Sequence, residues 1–330
     1  MKINKINKNS GFTLLEIMVA ISIGGILLFA MTKILLENKS LVKVQTNLEK
    51  IQNDSAFAFE TIAQQGRSAG FRGCASSANF IPQVKQVNIA TEYKTKLNPI
   101  EGNKGNGTTF SPALDPAVTA FNPAPSPKFD VLTIRSAVDS MATVGDDLAN
   151  PSSSKWPVNS IKGFAKDDIG IISNCSAAAI FNINSTANTT INAQSPSGVG
   201  YFFPARSQIY KYTTSTYYVA TVNGENILYY NKNGVSEPII NNIEKFSILY
   251  GVDINNTLNA SQYLYINNIA DLKQIVSMRI GLVLQSAEDK ITVQSAANNK
   301  YTFHGVEYTP RDKKLRKSFY TTVNIRNMLP

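Results

Sequence analysis

Catalytic side chains are what this 330-residue chain is poorest in. It carries one histidine, His304, and two cysteines, Cys74 and Cys175, and only 17% of its residues are charged. No Walker A sequence, Gly-x-Gly-x-x-Gly fingerprint, His-Glu-x-x-His pair or Cys-x-x-Cys pair occurs, so the patterns that build a phosphate cradle or a metal centre are missing. Asp253-Ile254-Asn255-Asn256-Thr257 begins like a calcium loop, but no glutamate stands at the closing position of an EF-hand. It reads as a turn held by Asp and Asn side chains. The chain therefore reads as structural rather than enzymatic, with no catalytic residue, no metal and no cofactor.

Charge excludes little more. Thirty-two basic residues against 23 acids give +9, which becomes +6 if Lys2, Lys5 and Lys8 leave with a leader. That surplus does not demand nucleic acid. The densest basic cluster, Arg311, Lys313, Lys314, Arg316 and Lys317, is expected to be a solvated loop between strands near Tyr301–Tyr308 and Phe319–Ile325; contact with DNA or anionic lipid is the alternative. Hydrophobic residues make up 43%, ample for a packed core.

What the chain does have is one long apolar run. From Ile17 to Met31 there is no charge, and the segment from Phe12 to Leu36 is broken only by Glu16 and Lys33. At about 1.5 Å per residue a helix of that length spans the roughly 30 Å hydrocarbon core of a bilayer. The lysines ahead of it hold the N-terminus in the cytoplasm, which predicts an N-in, C-out topology. A carboxylate in such a helix is costly in lipid, so Glu16 needs a partner or must reach the headgroups.

The pattern then turns amphipathic. Leu41, Val44, Leu48, Ile51, Ser55, Ala58 and Ile62 follow 3-4 spacing, with Lys43, Glu49, Lys50, Asp54 and Glu60 off the stripe. No proline interrupts Phe12 to Gly66, which predicts one continuous helix of about 55 residues, weakest at Gly24-Gly25. Export would place Cys74 and Cys175 in an oxidising compartment, where the pair reads as a disulfide, two buried thiols being the alternative.

Residues Gly11-Phe12-Thr13-Leu14-Leu15-Glu16 resemble the class III leader of type IV pilins and pseudopilins. The resemblance implies cleavage between Gly11 and Phe12 by a prepilin peptidase, N-methylation of Phe12, and retention of the apolar helix. It also implies that Glu16 pairs with the terminal amine of a neighbouring copy during assembly. Arg67-Ser68-Ala69-Gly70-Phe71-Arg72-Gly73-Cys74 is similar to the PilW group of minor pilins, as are Phe129–Ile134, Asp168–Cys175, Phe246–Asp253, Ile275–Ser286 and Thr321–Asn327.

The expected fold is α+β and pilin-like, a long N-terminal helix packed on a large antiparallel sheet, with room for a second β-rich lobe. The expected divisions are a leader at 1–11, a transmembrane and fibre-core helix at 12–36, its amphipathic continuation at 37–66, and a β-rich head at 67–330 with long loops at 98–127 and 182–200. Strands are expected at Ile209, Tyr217–Val222, Ile227–Tyr230, Phe246–Tyr250, Ile275–Leu284 and Phe319–Ile325, with turns at Asn223-Gly224 and Asn233-Gly234. The resemblance implies a minor pilin that primes the pilus near its tip, with other minor pilins and the major pilin as partners, first in the inner membrane and then at the cell surface. Adhesion, twitching motility and DNA uptake would follow. A tip adhesin or DNA-binding module and a minor pseudopilin of type II secretion are the alternatives.

Overall fold

A computed structural model describes residues 13–74, 84–86, 98–147, 155–175, 177–193, 203–289 and 300–328. The first element is a helix, α1 (Leu14–Ser68), 55 residues long and continuous through Gly24-Gly25. Thr13 caps it, and the helix stops where Ala69 leaves helical geometry and Gly70 and Gly73 take positive φ, +78° and +73°.

Among the described residues seventeen strands follow: β1 (Val84–Gln86), β2 (Ile100–Gly105), β3 (Phe110–Ser111), β4 (Val131–Thr143), β5 (Lys155–Pro157), β6 (Ile169–Asn174), β7 (Ala177–Ala187), β8 (Thr190–Ala193), β9 (Gln208–Val222), β10 (Glu225–Lys232), β11 (Val235–Ile240), β12 (Ile243–Val252), β13 (Gln262–Leu264), β14 (Ile275–Gln285), β15 (Tyr301–Phe303), β16 (Val306–Tyr308) and β17 (Arg316–Asn324). A single-turn helix, α2 (Pro116–Thr119), lies between β3 and β4. Eleven strands form one sheet with the path β3-β2-β4-β9-β6-β7-β8-β5, to which β10 and β11 attach through β9, and β1 through β7. A four-stranded sheet runs β13-β12-β14-β17, and β15 pairs β16 as a separate hairpin. All pairings but β1 with β7 are antiparallel.

The local sequence explains the tight turns. Asn223-Gly224 and Asn233-Gly234 have positive φ at both residues, the geometry that lets a two-residue turn match the twist of its strands. They join β9, β10 and β11 into a meander.

The principal core lies where α1 meets both sheets. Ile51, Ala58, Ile62 and Ala63 pack with Leu132 and Ile134 of β4, Tyr217 and Val219 of β9, and Ile248, Met278, Ile280 and Val323 of the four-stranded sheet. The helix thus packs chiefly on β14 and β17 while β4 and β11 of the larger sheet reach it as well. A second core gathers around Trp156, whose ring meets Phe181 at 4.5 Å with Ile172, Ile183 and Phe203 around it. This is the second β-rich lobe.

Both expected loops contain regular structure among the described residues. Within 98–127 the chain forms β2, β3 and α2, because Ile100 and Val118 are buried and Asn103 holds the turn by donating to the carbonyls of Pro112 and Ala113 at 3.0 and 3.1 Å. Within 182–200 the polar residues to Ala193 form the β7–β8 hairpin, whose inward residues Ile183, Ile191 and Ala193 are fully buried. Isolated apolar residues among Asn, Ser and Thr mask a period-two pattern from composition alone.

Candidate functional site

Among the described residues nothing packs on the first half of α1: its large apolar residues from Leu14 to Val42 are exposed, Phe29 by 74% and Leu36 by 62%. Leu14–Ser68 contains a span long and apolar enough to cross a membrane, none of it buried in the head. Water would penalise each such side chain by about 1.5–3 kcal/mol, so this surface requires lipid or other helices around it.

At the start of that surface stands Glu16. Its carboxylate accepts from the Thr13 N–H at 2.8 Å and from the Thr13 hydroxyl at 3.1 Å, while the Glu16 N–H donates to Thr13 Oγ1 at 3.2 Å. This reciprocal capping box satisfies two donors at the helix N-terminus, and it gives Glu16 a local acceptor role that the sequence reading missed. The signal was there: Thr, then Glu three residues on, ahead of an apolar run. Gly11 and Phe12, the expected cleavage and methylation residues, lie outside the described residues.

Below the exposed segment the helix becomes half-embedded. Its buried positions are Ile51, Ser55, Ala58, Ile62, Ala63 and Gly66, which is the predicted stripe from Ile51 onward; Leu41, predicted on it, is 55% exposed because no strand reaches so far. Gly66 lets β14 and β17 approach, since a Cβ there would stand 2.9 Å from Met278 Cε and 3.0 Å from Val323 Cγ1. Tyr217 crosses from β9 to donate its hydroxyl proton to the Thr61 carbonyl at 3.1 Å. Its own burial raises its pKa far above the usual tyrosine value, so it remains a donor.

The neck fixes the helix to the head. Asn327 donates to the carbonyls of Ala69 at 3.2 Å and Arg67 at 3.4 Å, closing the helix C-terminus, and the Gly70 N–H donates to Arg135 O at 3.0 Å. Arg135 is fully buried and pairs with Glu101 at 2.9 Å. Cys74 and Cys175 form a disulfide across a separation of 101 residues, joining the neck to the end of β6.

Asp130 ties the two sheets together. It accepts from the Gly105 N–H at 3.1 Å, from the Ser247 hydroxyl at 2.9 Å and from the Ile248 N–H at 2.9 Å. Burial raises its pKa against the pull of those donors.

The remaining sequence candidates fall as follows. Asp253 caps its own loop, accepting from the N–H groups of Asn255 and Thr257 at 3.1 Å and of Leu258 at 2.6 Å. Burial works against its charge, but these donors outweigh it and hold the pKa below the usual value. His304 occupies the β15–β16 turn with φ +49° and sits among Phe303, Tyr265 and Tyr320. The basic loop is only partly solvated. Arg316 has a side chain 4% exposed, donating to both Asp312 oxygens and to Gln285 at 3.0 Å, with Glu244 at 3.5 Å, because β17 begins at this residue and draws it against the sheet.

Two family models match the chain. One, described as the prokaryotic N-terminal methylation motif, covers residues 6–32, and the other, type IV pilus-assembly protein W, covers residues 216–327. These two matches support a PilW-like type IV pilin. No curated protein and no solved structure matches it. The matched C-terminal part of the pilin runs from within β9 to the Arg326–Met328 turn and so includes the whole four-stranded sheet against which α1 packs; the lobe around Trp156 lies outside it. The methylation motif and the apolar helix fit anchoring in the inner membrane followed by assembly into a pilus at the cell surface.

Proposed function

We propose that this pilin is a minor subunit that helps prime and assemble the type IV pilus near its tip, with adhesion, twitching motility and DNA uptake as downstream effects. Its role is structural, not enzymatic. The carrying observation is the division of α1: a segment with exposed apolar residues from Leu14 to Val42, continuous with a segment clamped into the head. Such a helix can move from lipid into a bundle of like helices without unfolding the head. Glu16 at its start then exchanges its Thr13 partner for the amine of a neighbour's Phe12, once the leader is cut after Gly11 by a prepilin peptidase. The two-lobed head, far larger than the sheet that α1 itself needs, suits a position at low copy where few subunits crowd it.

Other minor pilins and the major pilin are the proposed partners. Crosslinking from an exposed helix position such as Gln64 in assembling cells, followed by mass spectrometry, tests this. Capture of those subunits is the expected result, and normal pilus number in a deletion strain would overturn the priming role. Lost enzyme secretion with intact pili would instead assign the chain to a type II secretion pseudopilus. The tip-binding alternative has one observation in its favour, an apolar cleft lined by Phe110, Leu114, Ala124 and Pro125. Substitutions there that stop adhesion but leave assembly intact would favour it.

A further inference from the structure

The four-stranded sheet ends on a strand that is open along its length. β17 pairs with β14 from Ser277↔Asn324 to Gln285↔Arg316 without a register shift, and among the described residues no other strand pairs with it. Beyond the ends of that ladder, Ile325 N–H donates to Val276 O at 2.9 Å and Ser286 N–H donates to Leu315 O at 2.8 Å. Antiparallel pairs alternate between bonded and non-bonded residues, so residues 317, 319, 321 and 323 face β14 with their peptide groups. The N–H and C=O groups of Ser318, Tyr320 and Thr322 consequently point away from the sheet. Among the described residues none of them has a hydrogen-bond partner.

Folded proteins guard such edges by shortness, proline, bulges or cover. The other terminal strands show these devices: β3, β5, β13 and β1 have two or three residues each, and β11 carries Pro238. With nine regular residues and neither proline nor bulge, β17 is guarded only by the exposed charge of Lys317 near its start. The β15–β16 hairpin covers a face of the strand rather than its edge: Ser318 Oγ donates to Thr302 O, the His304 N–H donates to the Tyr320 hydroxyl, and Phe303 and His304 lie over Gly281 of β14.

Charge states which partner fits. Arg311 and Lys317 are exposed at the start of the strand and Arg326 just past its end, and from residue 311 to 326 the only acid is Asp312, which Arg316 engages. We propose that the β17 edge is a docking site for an extended, acidic segment of another polypeptide, added as a fifth strand beside β17 through Ser318, Tyr320 and Thr322. The inference concerns the head and stands or falls apart from the role proposed for the helix.

The test uses the full chain in detergent micelles with a nine-residue strand of alternating Glu and Val joined after Pro330 by a flexible Gly/Ser linker, which raises its local concentration into about the millimolar range. Amide exchange is read at Ser318, Tyr320 and Thr322. Exchange at least about tenfold slower than in the chain carrying the linker alone is expected, with no slowing when Lys replaces Glu. Thr322→Pro removes one outward N–H without touching the β14 ladder, and it should abolish the protection while leaving the melting temperature near that of the parent. Absence of slowing with the acidic strand overturns the proposal. So does protection already present in the unextended chain, whether constant (the edge is filled by the chain itself) or rising with protein concentration (it pairs with a second copy), and so does equal protection by the basic strand.

Discussion

The Tyr250 hydroxyl occupies the space where a side chain on Gly102 would stand. Gly102 belongs to β2 of the larger sheet and Tyr250 to β12 of the smaller one, so this close approach, together with Asp130, sets how tightly the two sheets meet. Gly102→Ala is expected to cost about 2 kcal/mol by overpacking. A fall in the urea midpoint with an unchanged slope is the measurement, and Tyr250→Phe in the same chain should recover part of the loss.

Glu16 serves the helix and, by our proposal, the fibre, and two substitutions separate these uses. Thr13→Val removes the cap hydroxyl and is expected to fray the first turn at a cost of about 1 kcal/mol, while pili still contain the subunit. Glu16→Ala should exclude it from pili although it still accumulates in the inner membrane. Immunoblots of sheared pili against membrane fractions distinguish the two, and unchanged incorporation of Glu16→Ala would remove Glu16 from the assembly step.

Cutting the disulfide should weaken the head more than any single apolar change at the neck. The bridge closes a loop with a sequence separation of 101, and in the chain-entropy model such a loop contributes about 4–5 kcal/mol. Cys74→Ser with Cys175→Ser should therefore lower the melting temperature strongly, as should reduction of the native chain. Equal melting of the oxidised and reduced forms would contradict this.

Acid should loosen the β15–β16 hairpin before it unfolds the head. His304 has its pKa lowered, first by burial among the aromatic rings and second by Arg279, so its folded environment favours the neutral ring. Hairpin stability is complete above the ordinary histidine value of about 6.5 and declines as pH falls below it toward the lowered folded value. His304→Asn keeps a residue tolerant of positive φ and removes the titration. Amide exchange at Phe303 and Val306, the pair whose N–H groups cross the hairpin, should accelerate between pH 7 and 5 in the parent and not in that variant.

Arg316 and Asp312 respond at a lower pH. Hydrogen bonding from Arg316 holds the Asp312 carboxyl below its usual value, so their contribution is present above about pH 3.9 and is lost as pH falls through the lowered value. Arg316→Ala removes the buried cation that Asp312 and Glu244, both partly exposed, engage, and should cost about 1–2 kcal/mol at neutral pH. A smaller cost at pH 3 than at pH 7 is the distinguishing outcome.

The helix was legible because its signals are long and repeated. The charge-free run, the 3-4 stripe from Ile51 and the glycines near its end each extend over several turns, and the observed helix departs from the expected one by two residues at either end. Most strands from β9 onward were legible for a related reason, being dense in Tyr, Val and Ile and punctuated by Asn-Gly, whereas β11 and β13 were not among those expected. The β7–β8 hairpin and the β2–α2 segment were not, since their apolar residues are sparse and their polar ones are held by partners distant in sequence, as Asn103 is by Pro112 and Ala113. The burial of Arg316 depends on Gln285 and Glu244, far away along the chain, so composition could only read it as one more surface charge. By contrast the Thr13–Glu16 cap lies within four residues and was readable, yet the attention that a charge in lipid attracts concealed the hydrogen bond beside it.

The Cys74–Cys175 bridge also has a mechanical meaning. Tension that passes from α1 into the head enters through the neck, reaches Cys74 within a few residues of the helix end, and crosses directly to β6. Stretching the chain between its termini therefore cannot pay out the segment between the cysteines, which would otherwise supply on the order of 340 Å of slack. While the bridge is closed, a subunit pulled from outside gives way by peeling β7, β9 and the strands after them away from β4 and β6, and the covalent segment between the cysteines is not drawn out.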